Sequence, residues 1–258
     1  MINLDAVKEN ARNFMTENPF NHCVIDGFFS PETANGLAQE FPTYDSDAWF
    51  HYSNPIEEKK ALNNWNAFPP LTYRVFDFLN SKHFVDALGS LVGQQLYSDY
   101  GLHGGGWHIH ASGGNLNPHL DYSLHPKLGL ERKLNLIVYL SKELNPELHG
   151  GHLGLWSHDA ARSQPDKLVK EVEPVFNRAI LFDTTQHSWH GMSRRLNMPG
   201  TVFRKSLAVY YLCQPNVGAA SRERAQFAPR EEQKGDPKVE RIIALRSSVA
   251  SSSQVYKS

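Results

Sequence analysis

The sequence predicts a mainly β protein with a jelly-roll or β-sandwich core and supporting helices near the N-terminus. Two observations lead to this fold class. Residues 94–214 contain six short strand-like runs separated by Gly, Pro and Asn turns, without the long helices that a parallel βαβ sheet requires. Residues 1–92 instead carry apolar residues at helical spacing. With 258 residues and 40% hydrophobic content, the chain can bury the core of one large domain.

The N-terminal zone, residues 1–92, is predicted to be helical apart from one short strand. "NLDAVKENARNFMTE" has apolar residues at near-helical spacing. "SPETANGLAQEF" begins with Ser30 as N-cap and Pro31 at the first helical position, and "CVIDGFF" before it is the predicted strand. Two further helices are predicted, "PLTYRVFDFLN" and "SKHFVDALGSLVG", the second capped by Ser81 and ended near Gly93. We expect this zone to support a sheet.

The central zone, residues 94–214, supplies the predicted strands of the core. They are "GGGWHIHA", "KLNLIVYL", "GHLGLW", "LVKEVEP", "RAILFD" and "KSLAVYYL". The zone after Pro215 is rich in Arg, Lys, Glu and Ser and contains one predicted helix, "KVERIIALR". We therefore expect residues 215–258 to form a polar C-terminal extension rather than a domain.

Composition and charge exclude several function classes. The 26 Lys plus Arg balance 27 Asp plus Glu, so a formal net charge of −1 gives no basic footprint for nucleic acid or an anionic membrane. Cys23 and Cys213 show no CxxC or framework spacing, which argues against a disulfide scaffold and a cysteine zinc site. No apolar run approaches the roughly 20 residues of a membrane span, and the N-terminus is too charged for a signal peptide. These features predict a cytoplasmic protein.

Histidine is the compositional exception, since ten of the 13 histidines fall between residues 103 and 190. Within "NPHLDY", His119 and Asp121 stand two positions apart, so both side chains of an extended segment project from one face. They can then bind one ion together. Two ligands hold a metal weakly, and a surface turn explains the pair equally well, so a third ligand is needed.

The third ligand is sought in "RAILFDTTQHSWHGMSRR", where a buried strand leads into a polar turn with two histidines. We choose His190, because Gly191 allows close backbone approach and Trp189 can wall the site. His187 is the fallback. Two histidines and one carboxylate leave three cis positions open on an octahedral ion, the arrangement of non-haem Fe(II) oxygenases rather than of closed zinc sites.

Such an iron commonly takes its electrons from a 2-oxo acid that chelates two open positions, and the far carboxylate of this acid needs a buried cation. In "TVFRKSLAVYYL", Arg204 stands 14 residues after His190, and Ser206 follows two positions later. On a strand both side chains point to one side. Arg204 can pair with the carboxylate through two hydrogen bonds, and the Ser206 hydroxyl can add a third.

These motifs make the sequence similar to the Fe(II)/2-oxoglutarate-dependent dioxygenase superfamily, specifically to its prolyl 4-hydroxylase-like branch. The resemblance runs from about Val24 to Leu212 and is strongest in "LNPHLDY", "ERKLNLIVYL", "HGGHLGLW", "FNRAILFDTTQHSWHG" and "RKSLAVYYL". It implies a double-stranded β-helix (jelly roll) in a dioxygenase domain spanning residues 1–214. Carried over by position, the iron ligands and the basic residue that binds 2-oxoglutarate are His119, Asp121, His190 and Arg204.

The resemblance also implies the reaction. Fe(II), 2-oxoglutarate and O2 would serve to hydroxylate an unactivated C–H bond of a prolyl residue, a free amino acid or another small metabolite, with release of succinate and CO2. Asp121 favours hydroxylation over halogenation, because related halogenases lack this carboxylate, whereas desaturation and ring formation stay open. Collagen-type members use Lys as the basic residue, while this chain has Arg204 in an Arg-x-Ser setting, as other branches do.

Several other residues have both a functional and a structural interpretation. Asn135 and Tyr139 share one face of the strand after the metal loop, where one of them contacts 2-oxoglutarate or both belong to the core. His108 and His110 contact substrate or are strand residues satisfied by hydrogen bonds. The pair His149 and His152 flanks two glycines that we expect to form a turn into a strand. Candidates for the substrate mouth, or for plain core, are Tyr122, Trp107, Trp156 and Arg132.

Two other function classes compete with an oxygenase. A non-catalytic, cupin-like jelly roll would bind or sense through its metal without turnover, but such a relative is expected to lose a ligand or the basic residue, and none is lost here. A zinc hydrolase is disfavoured, because no carboxylate beside a metal histidine is placed as a general base.

Overall fold

Two antiparallel β-sheets form the core of the computed structural model, which describes residues 1–2 and 4–256. In chain order the strands are β1 (His22–Ile25), β2 (Phe50–Asn54), β3 (Glu57–Leu62), β4 (Tyr97–Ser98), β5 (Gly106–His110), β6 (Asn115–Leu116), β7 (His119–Leu120), β8 (Glu131–Tyr139), β9 (Leu153–Asp159), β10 (Gln164–Val172), β11 (Ala179–Asp183), β12 (Trp189–Met192), β13 (Arg204–Cys213) and β14 (Gln226–Phe227). The larger, nine-stranded sheet follows the order β1-β11-β8-β13-β5-β3-β2, with β4 on β13 and β6 on β3. The smaller sheet follows the order β10-β9-β12-β7-β14.

The helices begin and end close to where their capping residues predict. They are α1 (Leu4–Asn10), α2 (Pro31–Glu40), α3 (Pro70–Asn80), α4 (Lys82–Val92), α5 (Pro146–His149) and α6 (Pro237–Arg246). The predicted caps are confirmed, since the side chains of Ser30 and Ser81 accept hydrogen bonds from the amides of Thr33 and Phe84, and Gly93 ends α4 in the left-handed conformation. The first predicted helix includes Asn3, which lies outside the described residues. Within the described ranges, no helix has the length and apolar character to cross a membrane.

The two faces of the larger sheet serve different purposes, because successive strand residues point to opposite sides. One face packs against the helices in the main hydrophobic cluster, to which β8 and β13 contribute Leu134, Leu136, Val138, Leu207 and Val209. The intervening residues of the same strands, including Asn135, Ile137, Ser206, Ala208 and Tyr210, line a cavity on the other side. The smaller sheet borders that cavity with β7 and β12. Strand alternation thus separates the apolar core from the polar site.

One part of the N-terminal zone differs from the sequence prediction. Residues predicted as part of the helical support instead form the antiparallel hairpin of β2 and β3, whose register pairs Phe50 with Ala61 and Tyr52 with Lys59. β3 continues the larger sheet through its pairing with β5. The charged run "EEKKAL" hides this strand, because Glu, Lys and Ala favour helices in isolation and sheet pairing overrides that preference.

The C-terminal extension packs onto the two sheets. β14 pairs with β7 of the smaller sheet, and Phe227 packs with Ile56 and Val239 in an apolar cluster. The Arg246 guanidinium on α6 donates a 2.8 Å hydrogen bond to the buried Glu57 carboxylate of β3. Residues 257–258 of the predicted extension lie outside the described residues. The described part of the extension therefore forms one wall of the cavity.

Candidate active site

Three buried side chains singled out by their sequence spacing come together between the sheets. His119 on β7 stands directly opposite His190 on β12, and Asp121 follows β7 by one residue. The potential ligand atoms of the three side chains all lie within 4.8 Å of one another. The His119 and His190 Nε2 atoms are 3.9 Å and 3.8 Å from the Asp121 carboxylate oxygens. The prediction that His190 lies in a turn is wrong, because residues 189–192 form β12, which lies between β9 and β7 in the smaller sheet.

Backbone carbonyls orient both imidazole rings of this cluster. The Nδ1–H of His119 donates to the Asn117 carbonyl at 2.9 Å, and that of His190 donates to the Ser188 carbonyl at 2.8 Å. Each ring therefore keeps its Nε2 lone pair for a ligand beside Asp121. Burial, and then the neighbouring His190, lower the pKa of His119 to about 3, and burial also lowers the pKa of His190. Both rings are neutral near pH 7, as metal binding requires.

The Asp121 carboxylate is held from two further sides. Arg132 Nη1 lies 3.5 Å from Oδ1. The Tyr210 hydroxyl donates to Oδ1 and the Asn135 amide donates to Oδ2, and each of these hydrogen bonds is 3.4 Å long. Burial alone would raise the pKa of Asp121, but the neighbouring His190 and the Arg132 guanidinium lower it below its usual value. The carboxylate is therefore ionised and oriented towards the two histidines.

Arg132, a candidate for the substrate mouth, lines the cavity beside Asp121. Its guanidinium is 3.4 Å from the ring centroids of both Tyr122 and Tyr210, and Nη2 donates to the His103 carbonyl at 2.5 Å. Only 2% of the residue is exposed. This packing between two aromatic rings holds the guanidinium against Asp121.

Arg204 and Ser206 lie side by side on β13, facing the same cavity. Arg204 is paired across the sheet with His110, and Ser206 with His108 on one side and Tyr139 on the other. Arg204 Nε donates to the Gly151 carbonyl at 2.8 Å, and its guanidinium lies 4.9 Å from the centroid of the Tyr139 ring. Among the described residues, no carboxylate lies within 4.0 Å of this buried cation. A buried guanidinium without an acidic partner is suited to binding an anionic ligand.

Of the predictions made for the residues around His190, the one for Gly191 is confirmed and the one for Trp189 is wrong. Gly191 does allow close backbone approach, since a Cβ atom at this position would stand 2.6 Å from the Asn117 carbonyl oxygen. That prediction is confirmed. Trp189 does not wall the site, because strand alternation turns its side chain away from the cavity, into a cluster with Leu120 and Ala228. His187, the fallback ligand, is exposed and stacks on His158 with 3.7 Å between ring centroids.

The other sequence candidates divide between the cavity and the structural core. His108, His110, Asn135 and Tyr122 line the cavity. Trp107 belongs to the main core cluster, and Trp156 pairs with Trp189 across β9 and β12. The two glycines between His149 and His152 have positive φ angles and lead into β9, which confirms the predicted turn.

Several residues that sequence reasoning did not single out also line the cavity, which has a volume of about 380 Å³, and three of them carry a positive charge. Lys59 comes from β3, while the C-terminal extension contributes Arg224, Phe227 and Arg246. No local motif marks them. Only the β2–β3 hairpin and the pairing of β14 with β7 bring them to the site.

Comparison with known proteins agrees with this geometry. Residues 105–212 match the 2OG-Fe(II) oxygenase superfamily. A search of curated protein sequences found no match. Among solved structures, the Pseudomonas putida prolyl-4-hydroxylase is 14% identical, with 80% of this chain and 98% of that chain covered and a TM-score of 0.55.

Two further solved structures are comparably similar. The prolyl hydroxylase from Trichoplax adhaerens, in complex with a hypoxia inducible factor peptide fragment, is 16% identical, with 80% of this chain and 91% of that chain covered and a TM-score of 0.53. HygX from Streptomyces hygroscopicus, with nickel and 2-oxoglutarate bound, is 16% identical, with 80% and 87% covered and a TM-score of 0.55. At these identities the likeness concerns the fold, and it confirms the predicted jelly-roll class. The segment that matches the 2OG-Fe(II) oxygenase superfamily, residues 105–212, thus contains His119, Asp121, His190 and Arg204, and the solved neighbours share its fold.

Proposed function

We propose that the protein hydroxylates an unactivated C–H bond of a prolyl residue, a free amino acid or another small metabolite, and releases succinate and CO2. Fe(II) would be held by His119, Asp121 and His190, and 2-oxoglutarate would be anchored by Arg204 and Ser206. The observation that carries this proposal is the convergence of two neutral imidazoles and one ionised carboxylate within 4.8 Å.

This donor set fits Fe(II). Both histidines present Nε2 because a backbone carbonyl accepts the proton on Nδ1, and the carboxylate is ionised. Three ligands on one side leave open positions for a co-substrate and O2. Bound there, Fe(II) would couple the oxidative decarboxylation of 2-oxoglutarate to insertion of one oxygen atom of O2 into the C–H bond.

The second part of the site fits 2-oxoglutarate. The Arg204 guanidinium is buried and has no acidic partner among the residues that the structure describes, so a carboxylate entering the cavity would supply the missing charge. The Ser206 hydroxyl stands on the same face of β13 and would donate a hydrogen bond to this carboxylate. Tyr139 packs against the guanidinium and limits its orientations. Asn135 would act on the metal side, since its amide contacts Asp121.

The substrate would enter the same cavity. A volume of about 380 Å³ lies at the small end of the range for ligand sites, so the cavity suits the co-substrate together with a small molecule or a single protruding side chain. The solved neighbours include both situations, because the Trichoplax adhaerens enzyme is in complex with a peptide fragment and HygX was also solved with hygromycin B bound.

An anaerobic titration with Fe(II) and then 2-oxoglutarate tests the proposal through the visible charge-transfer band of the chelate. We expect the band in the wild type and none in Asp121→Ala, whose circular dichroism should stay unchanged. Arg204→Met should need at least about tenfold more 2-oxoglutarate, because a charge-assisted hydrogen bond is lost. Lys205→Met is the matched control, since Lys205 points to the opposite face, over Phe41. A metal-loaded wild type without the band would refute the proposal.

A further inference from the structure

The cavity holds more positive charge than the metal and co-substrate chemistry uses. With histidines neutral, its lining carries five cations and two carboxylates, an excess of three positive charges, although the whole chain has a net charge of −1. The cations are Lys59, Arg132, Arg204, Arg224 and Arg246, and the carboxylates are Glu57 and Asp121. A divalent metal ion and the 2-oxoglutarate dianion would cancel each other and leave this excess unchanged.

Three of the five cations already have a partner or an assigned ligand. Arg132 lies against Asp121, and Arg246 is bonded to Glu57. Arg204 is the proposed anchor of 2-oxoglutarate. Lys59 and Arg224 have no direct partner of this kind: within residues 1–2 and 4–256 neither has a carboxylate within 4.0 Å, and Lys59 acts on Glu57 only from beyond that distance. Charges in a partly buried cavity are costly unless they are paired, so a ligand anion is the natural partner for both.

The two remaining cations and Tyr52 line the same cavity. Lys59 is paired with Tyr52 across β2 and β3, and its ammonium lies 5.0 Å from the centroid of the Tyr52 ring. The Arg224 Nε atom is buried and makes no hydrogen bond within the described part of the chain. A donor of this kind, facing a cavity, is available to a ligand.

We infer that the substrate carries a carboxylate or phosphate group, which Lys59 and Arg224 bind in the cavity that also contains the metal and 2-oxoglutarate sites. The inference rests on the proposed function and deepens it by naming the class of substrate. Arg224 offers a planar pair of donors that suits both oxyanions, and Lys59 adds a compact charge. The excess positive potential would also attract an anionic substrate to the cavity.

Calorimetric titration with acetate and with inorganic phosphate, at constant ionic strength, tests this subsite in the full-length protein loaded with Ni(II) and saturating 2-oxoglutarate. We expect the wild type to bind at least one of the two anions, and the better of them shows whether the subsite is built for a carboxylate or a phosphate. Lys59→Met and Arg224→Met should each weaken that binding about tenfold, the value of one charge-assisted hydrogen bond.

The control variants also remove one positive charge each, but at residues that do not line the cavity. Lys60→Met removes the next lysine, which points to the other face of β3 and donates to the Tyr44 carbonyl at 2.9 Å. Arg241→Met removes an exposed arginine of α6. Both should bind the anion within about twofold of the wild type, because neither charge lines the cavity and the longer-range effect of each is screened by salt.

The outcomes separate the inference from the function on which it rests. If the wild type binds 2-oxoglutarate but neither anion, or if all variants bind the anion equally well, the proposed anion subsite is refuted while the proposed function stands. A Lys59→Met protein that loses 2-oxoglutarate affinity instead of anion affinity would also overturn it, by assigning Lys59 to the co-substrate. A wild type that fails to bind 2-oxoglutarate would refute the proposed function itself.

Discussion

Replacing Arg132 with Met tests how the Asp121 carboxylate, a proposed metal ligand, is kept charged inside the protein. The substitution keeps an unbranched side chain of similar length and removes the guanidinium that lies 3.5 Å from Asp121. Because both residues are at most 6% exposed, the carboxylate would be left buried without this partner. Removing one member of a buried ion pair costs about 3–5 kcal/mol of unfolding free energy. For a chain of this size, that corresponds to a melting temperature lower by roughly 6–20 °C.

The metal-loaded protein should show a smaller deficit. A divalent ion beside Asp121 supplies the positive charge that Arg132 no longer provides, while Tyr210 and Asn135 still orient the carboxylate. By linkage, the variant should then bind Ni(II) more tightly than the wild type does. Each 1.4 kcal/mol of the deficit recovered on loading equals about a tenfold gain in metal affinity.

Melting curves of both proteins, recorded with and without Ni(II), measure these effects. The control is Arg178→Met, which breaks the pair of Arg178 with the largely exposed Asp26 and should cost less than about 1 kcal/mol with or without metal. A variant that gains less stability from Ni(II) than the wild type would refute the charge argument. That result would make orientation of Asp121 the main task of Arg132.

Two further predictions concern the support of the site. Gly191→Ala should lower the unfolding free energy by about 1–3 kcal/mol and weaken Ni(II) binding, because the new Cβ would lie 2.6 Å from the Asn117 carbonyl oxygen that orients His119. An unchanged melting temperature and an unchanged Ni(II) affinity would contradict this prediction. Glu57 is a buried acid whose pKa burial would raise, but Arg246, Lys59 and Tyr256 hold it below the usual value of 4.5. Its stabilising effect is therefore complete above that value and lost as the pH falls through the lower, folded-state pKa. Urea unfolding from pH 7 to below pH 4.5 should show a steeper loss of stability in the wild type than in Glu57→Gln, and parallel curves would disprove the assignment.

Features that depend on local sequence were predictable. The caps of α2 and α4 are set by Ser30 and Ser81, which bond backbone groups only three residues away. The spacing of His119 and Asp121 likewise places both side chains on one face, within reach of one ion, once the segment is extended. Apolar runs such as β11 have five buried residues in succession and are recognisable as core strands.

Features that depend on distant partners were not predictable from one sequence. β3 is a strand only because β2 and β5 offer edges to pair with, and its Lys and Glu residues give no sign of this. His190 looked like a turn residue, because the four-residue strand that contains it is short and polar before its pairing with β9 is known. Lys59 and Arg224 come from opposite ends of the chain, and only the tertiary fold gives them a common cavity.

The C-terminal extension shows why a polar segment can belong to an active site. Asn117, whose carbonyl orients His119, also donates from its side chain to the Ala228 carbonyl at 3.1 Å and to Gln233 at 2.6 Å. Arg230 donates to the Asn117 side-chain oxygen at 3.2 Å. A buried network of this kind requires every polar group to be satisfied, and the extension supplies the partners. Polar residues such as Arg230 and Gln233, which made this segment look like a solvated tail, therefore hold in place the loop that orients His119, a proposed metal ligand.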